Sequence, residues 1–358
     1  DRVGSIDNEV TSRRTASTDP MTPSLLRSYY SIPAGSATDG PLGSQAVLFT
    51  DQFFSSQDLG TFETANSLPA QSIFRVYGGH FSNSVCHSYD AEYAYESCAV
   101  GNMGIQYIMS LATYTPTTFW YQFRDVQDPF VEWLHDCVSL ADPPLVTSIS
   151  NGVDEYEVDR STFTDFNTLA QKYALQGGTI VVASGNNGVN SQFSRCGYYP
   201  LFPASSMYVT AVGATMGPES DTTEIACQSD MGGYITSGGG FSNIDNTPTY
   251  QSSQIDAYWT LCGNGTNNNC VPATSEFYPY NVTGRGYPDV SIAGYNYQIV
   301  VGDLTYLKSS TAASSASFAA MVSLLNADRM GNGYSSLGFL NTVLYRYVPS
   351  SCIYCTIL

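Results

Sequence analysis

Two uninterrupted apolar and β-branched runs, residues 145–150 (Leu-Val-Thr-Ser-Ile-Ser) and 179–183 (Thr-Ile-Val-Val-Ala), constrain this chain more than any other feature. A strand with one wet face alternates apolar and polar residues, whereas a run without alternation is covered on both faces, as in a parallel sheet. Between the two lies a helix-like stretch, 162–176, closed by Gly177 and Gly178. Strand, helix and strand in that order make a parallel crossover unit. Residues 208–212 supply another covered strand, and 45–50 (Gln-Ala-Val-Leu-Phe-Thr) a further apolar run of strand length, followed by a helix-like 56–64. Segment 93–111 ends in Met103, Ile105, Tyr107, Ile108 and Met109, the pattern of a buried helix, and 317–330 is a strongly apolar one. A short helix starts at Met21-Thr-Pro-Ser, with Thr22 or Ser24 available to cap it. Residues 228–290, rich in Gly, Asn, Ser and Pro, read as mostly loops. The expectation is a polar linker tail over 1–20 and one α/β domain over 21–358, with a largely parallel central sheet flanked by helices.

Composition narrows the functional classes. The 358 residues contain 31 Asp plus Glu against 13 Lys plus Arg, a formal charge of -18. No basic surface can be assembled to neutralise phosphates, so a nucleic-acid partner is excluded. No run of about 18 apolar residues occurs, so no membrane span is expected. The first residues lack a basic segment followed by an apolar stretch, so any signal peptide is expected to be gone already. Only Lys172 and Lys308 are lysines, and tyrosines number 27. That balance suits a secreted or lumenal protein that meets acid, where carboxylates are partly neutralised.

Nine cysteines are many for a reduced cytosol. Cys86 with Cys98, and Cys262 with Cys270, read as loop-closing disulfides of an oxidising compartment. Cys352 and Cys355 have zinc-like spacing but no second pair beside them, so no zinc is expected; near the terminus they could tether another chain. An odd count leaves at least one thiol free or joined to another chain. Asn264-Gly-Thr and Asn281-Val-Thr are glycosylation sequons.

Seven segments stand in a fixed order: Thr22-Pro-Ser-Leu-Leu-Arg, Ile105-Gln-Tyr-Ile-Met-Ser, Ala183-Ser-Gly, Phe202-Pro-Ala-Ser-Ser with Tyr208-Val-Thr, Ser237-Gly-Gly-Gly-Phe-Ser-Asn, Gly286-Tyr-Pro-Asp-Val and Leu337-Gly-Phe-Leu-Asn. Taken alone, most are satisfied by structure: prolines stiffen loops, and Phe202, Tyr208 and Phe241 suit a core. Ser237, Gly238, Gly239 and Gly240 permit close backbone approach, as a tight turn or a peptide-binding edge needs. Together they are similar to the sedolisin, or serine-carboxyl peptidase, family, and most of all to its lysosomal tripeptidyl-peptidase branch. The resemblance implies a subtilisin-like fold. It also implies acyl transfer by a serine at a helix N-terminus, a glutamate base, an aspartate one helical turn away that orients it, and a further aspartate at the oxyanion.

Carried over residue by residue, the family's motif places the serine at Ala312, the glutamate at Val100, the orienting aspartate at Gly104 and the oxyanion aspartate at Asn186. An amide still donates a hydrogen bond; the other three offer no group for the chemistry. Removing one member of such a unit costs on the order of a millionfold in turnover. The expectation is therefore a non-catalytic member, not an enzyme, serving as a secreted or lumenal structural component. Its partner would be a protein, an extracellular assembly or its own cleaved propeptide, in the extracellular space or an acidic, lysosome-like lumen. Two alternatives remain. One is an acid peptidase using displaced residues, with Glu92 and Glu96 as carboxylates four apart and Ser309, Ser310 or Ser314 as hydroxyls. The other is peptide binding without turnover, through Asn186 and the 237–240 edge. His80 and His87 read as exposed loop imidazoles and His135 as the edge of a helix. The family's calcium loop is not found near the C-terminus, and Gly331-Asn-Gly-Tyr-Ser ends in serine where a carboxylate ligand is needed. No bound metal or cofactor is expected.

Overall fold

The computed structural model describes residues 19–33, 43–79, 82–123, 128–191, 197–261 and 280–347. Strands run in chain order as β1 (Gln45–Thr50), β2 (Arg75–Tyr77), β3 (Thr117–Gln122), β4 (Val146–Ile149), β5 (Val153–Asp154), β6 (Thr179–Ala183), β7 (Leu201–Phe202) and β8 (Thr210–Met216). They continue as β9 (Ile225–Ala226), β10 (Gly240–Asn246), β11 (Gly284–Tyr287), β12 (Val290–Ala293), β13 (Tyr297–Val301) and β14 (Leu304–Lys308). Helices are α1 (Pro23–Tyr29), α2 (Ser56–Ala65), α3 (Ser82–Cys86), α4 (Ala91–Leu111), α5 (Pro129–Ser139), α6 (Arg160–Leu175), α7 (Ser252–Leu261), α8 (Thr311–Gly331) and α9 (Asn341–Tyr347).

The main sheet has the order β12-β8-β6-β4-β1-β3-β2 and is parallel throughout, with the short β9 added antiparallel to β8. Successive side chains of its strands point to opposite faces. Val47 and Phe49 of β1 and Val181 and Ala183 of β6 join the core under α4 and α8. Leu48, Ile180 and Val182 join the core under α5 and α6. Two cores on one sheet are the reason these strands read as unbroken apolar runs.

Several boundaries differ from the expected ones. Helix α8 begins at Thr311, two turns before 317, because Ser310 caps it: its backbone is extended and its Oγ accepts from the Ala312 amide. The Thr311–Ser317 stretch of small residues carries little apolar periodicity, and all seven residues are buried. Region 228–290 is less loop-like than composition indicates. It supplies the antiparallel pair β10–β11 and helix α7, which share a small core of Phe241, Ile255 and Tyr280.

Cys86 and Cys98 form a disulfide that ties α3 to α4. Cys137 and Cys227 are free and buried, and burial pushes each thiol up to about 12. Asn281 is half-buried, with its side-chain amide donating to the Ser242 carbonyl at 3.2 Å. Cys262, Cys270, Cys352, Cys355, Asn264, His80 and residues 1–18 of the linker tail lie outside the described residues. Among the described residues, no helix is long and apolar enough to cross a membrane.

Candidate functional site

Beyond the ends of β4 and β6, at the head of α8, lies a cavity of about 270 Å³ lined by Val100, Asn151, Asn186, Tyr199, Ser310 and Thr311 among others. Along its wall Asn186 meets the first turn of α8. The first amides of a helix lack partners within it and carry the positive end of its dipole. Asn186 Oδ1 accepts from the Thr311 amide at 2.9 Å and from the Thr311 hydroxyl at 3.1 Å. Its Nδ2 donates to Ser310 Oγ at 3.2 Å, while Thr311 Oγ1 accepts from the Gly185 amide at 3.1 Å. One amide side chain thus joins the loop after β6 to the helix head.

That loop is held from behind. Gly238 donates to the Gly185 carbonyl at 2.8 Å and Thr236 to the Asn186 carbonyl at 3.0 Å. A Cβ on Gly238 would stand 2.2 Å from the Ser184 carbonyl oxygen, so only glycine fits. Ser237 Oγ accepts from the Ala214 amide at 2.9 Å. Ser237 and Gly238 therefore brace the Asn186 loop, Gly240 opens β10 against the Tyr198 hydroxyl, and the cavity lining includes none of 237–240.

The four carried-over positions divide in two. Val100 and Asn186 face the cavity. Ala312 is buried in the α8 core, and Gly104 lies against the Phe49 ring, where a Cβ would come within 2.5 Å of Cζ. Two further lining residues, Ser150 and Ser184, keep buried hydroxyls that find no hydrogen-bond partner within the protein. Buried hydroxyls are ordinarily satisfied, so this wall is suited to a polar ligand or to water. Across Gly152 a second hollow of about 160 Å³, walled by Phe130, Val153 and Phe202, carries Asp128 and Glu157 among its lining residues.

The lining of the larger cavity holds hydroxyls and amides but no carboxylate or imidazole. Glu96, exposed, stands one helical turn before Val100 on the same face of α4, and Glu92 one turn further. Carboxylate–hydroxyl contacts between residues far apart in the chain occur outside this lining: Ser242 donates to Glu155 and Ser191 to Asp154, both carboxylates buried. Burial raises the Glu155 carboxyl above its ordinary range, against the lowering effect of its bonds from Ser242 and Asn243. His87 is no solvated loop imidazole but lies between Asp58 and Asp303. His135 is exposed on α5, as expected.

A parallel sheet flanked by helices, with a small-residue helix head at its strand ends, defines a protein of the subtilisin-like fold class. The solved structure of Pseudomonas sedolisin, a serine-carboxyl proteinase, superposes over 94% of this chain and 87% of its own with a TM-score of 0.65 at 20% identity. Tripeptidyl-peptidase 1 of dog and of human are each 32% identical to it, over 337 and 339 residues, spanning 91% of this chain and 55% of theirs. The Dictyostelium discoideum tripeptidyl-peptidase 1 is 32% identical over 92% of this chain and 50% of its own. No family model matches the sequence. The chain belongs to the sedolisin, or serine-carboxyl peptidase, family. It spans about half the length of the curated relatives it matches.

This overturns the expectation that the chain is not an enzyme. Relatives aligned along nine-tenths of it are curated as tripeptidyl-peptidases, and what they support is membership of a peptidase family. The expected inertness follows from four aligned positions alone, with Ser310 no more than one of three displaced hydroxyls; the fold places Ser310 and Thr311 at the helix head, among the residues that line the cavity.

Proposed function

We propose that this cleft takes an extended peptide and that the chain is an acid serine-carboxyl-type peptidase working with residues displaced from the family's positions. The observation that carries this is the contact of Ser310 Oγ with two donors, Asn186 Nδ2 and the Ala312 amide, each at 3.2 Å. Donors so placed stabilise negative charge as a hydroxyl proton leaves. In this reading Ser310 Oγ adds to the peptide carbonyl carbon and its proton passes to the Glu96 carboxylate, turned one helical turn into the cavity. Collapse of the adduct expels the amine, which takes up that proton, and water then hydrolyses the ester. The hollow across Gly152 would receive an apolar side chain of the peptide. An acidic lumen or an acidic extracellular setting suits the net charge of -18.

Incubation of the pure chain with a peptide library between pH 3 and 6 tests the proposal. Cleavage should be lost in Ser310→Ala and in Glu96→Gln while both variants keep a cooperative melt. Cleavage unchanged in both, or saturable peptide binding with no cleavage, would overturn it.

A further inference from the structure

Outside the cleft, the described residues bring together one set of metal-ligating side chains whose donor atoms lie within 4.8 Å of one another: Asp58, His87 and Asp303. Each comes from a different part of the fold. Asp58 is in the first turn of α2, behind the Ser55 cap. His87 follows Cys86 directly, so the disulfide to Cys98 fixes its segment against α4. Asp303 sits in the turn between β13 and β14, at a φ of +61°. Sequence separation hid the set, since no local spacing relates residues 58, 87 and 303.

The distances suit a shared ion. His87 Nε2 is 3.2 Å from Asp58 Oδ1 and 3.1 Å from Ser55 Oγ, and Nδ1 is 3.6 Å from Asp303 Oδ2. Bonds of about 2.0–2.2 Å to a four-coordinate ion set neighbouring ligand atoms roughly 3.3 Å apart. An imidazole gives one nitrogen to one ion, so Nε2 and Asp58 form the fixed pair. Asp303, whose side chain is about half exposed, is the ligand with room to swing in.

Both carboxylates are held by further hydrogen bonds. Asp58, fully buried, accepts from Asn102 Nδ2 at 2.8 Å and from the Gly302 and Asp303 amides at 3.1 and 2.9 Å. Asp303 accepts from Gln57 Nε2 at 2.7 Å and Thr61 Oγ1 at 3.1 Å. Such outer bonds orient ligands in metal sites. Among the described residues no lysine or arginine forms an ion pair with either carboxylate, which leaves their charge available to a bound ion. We propose that Asp58, His87 and Asp303 bind a divalent transition ion of the zinc class, one imidazole and two carboxylates being a borderline donor set with too few oxygens for calcium. The ion staples α2, the disulfide loop and the β13–β14 turn into one rim.

The full chain, stripped with chelator, is titrated with Zn²⁺ at neutral pH by calorimetry, and its melting temperature is followed. One equivalent per chain and a melting temperature several degrees higher are expected. Asp303→Asn, a change on an exposed turn, and His87→Gln should each weaken Zn²⁺ binding by about 100-fold. Binding that persists undiminished in both variants places zinc elsewhere and overturns the site. No Zn²⁺ binding by the wild-type chain, with no change in its melting temperature, overturns it equally.

Discussion

Asn186 shows how much one side chain can hold. Its carbonyl takes an otherwise partnerless helix amide and a hydroxyl, and its amide reaches Ser310. Asn186→Ala should cost about 1–3 kcal/mol in chemical denaturation, the penalty for leaving buried donors unmade. Asn186→Asp keeps the acceptor oxygens and adds negative charge at a helix N-terminus, where it is favourable. Its stability should stay within about 1 kcal/mol of wild type at neutral pH; a loss as large as that of the alanine variant would refute this account. Arg285 and Asp289 form a fully buried ion pair, with Asp289 also accepting from the Ala211 amide and the Tyr345 hydroxyl. Asp289→Ala strands a buried guanidinium and should cost about 3–5 kcal/mol. Little at this scale was legible beforehand. The Gly-Tyr-Pro-Asp segment could be singled out as a motif, but what Asp289 holds depends on Arg285 and Tyr345, and nothing in local spacing announces Tyr345. Asn186 could be found only through the family resemblance.

At the scale of the element, helix α4 packs so closely on β1 and the connection after it that its glycines become structural parts. A Cβ on Gly101 would stand 2.0 Å from the Phe53 carbonyl oxygen, a backbone atom that no rotamer change removes. Gly101→Ala should therefore destabilise by about 1–3 kcal/mol or more, whereas an alanine at the uncrowded Gly60 of α2, where an added Cβ meets nothing within 4 Å, should cost little. Equal melting temperatures for the two variants would sink the argument. Replacing Cys86 and Cys98 together by serine opens a loop with a sequence separation of 12 and should cost about 2–4 kcal/mol. The elements themselves were largely readable. Strands β1, β4 and β6 declared themselves because both their faces are covered, and α4 because its C-terminal half is wholly buried. The start of α8 escaped notice because alanine and serine pack a crowded helix without marking an apolar face, and β10–β11 because a Gly- and Asn-rich composition conceals pairing.

Across the whole molecule, acid and stability are linked. Burial raises the carboxyls of Glu63, Glu155 and Asp245 above their ordinary range, against smaller lowering effects from their hydrogen bonds. A carboxyl with a raised folded-state pKa binds its proton more tightly when folded. Its contribution to stability is complete below the unfolded pKa and is lost as pH rises through the folded one. Relief of repulsion among 31 acidic side chains acts in the same direction. The melting temperature should rise between pH 7 and about pH 5, and Glu155→Gln should flatten part of that rise. A melting temperature that drops steadily across this interval would contradict it. The acid leaning was visible in composition; which carboxylates carry it was not, since that depends on burial.

The sheet is a party wall between two cores, and a strand that slipped by one position would trade the tenants of each side. Insertions and deletions are thereby barred from the strands and collect in the connectors past their tips. Those connectors are what surround the cleft. Lineages of this architecture are free to re-tailor what the cleft admits while the masonry beneath stays unaltered.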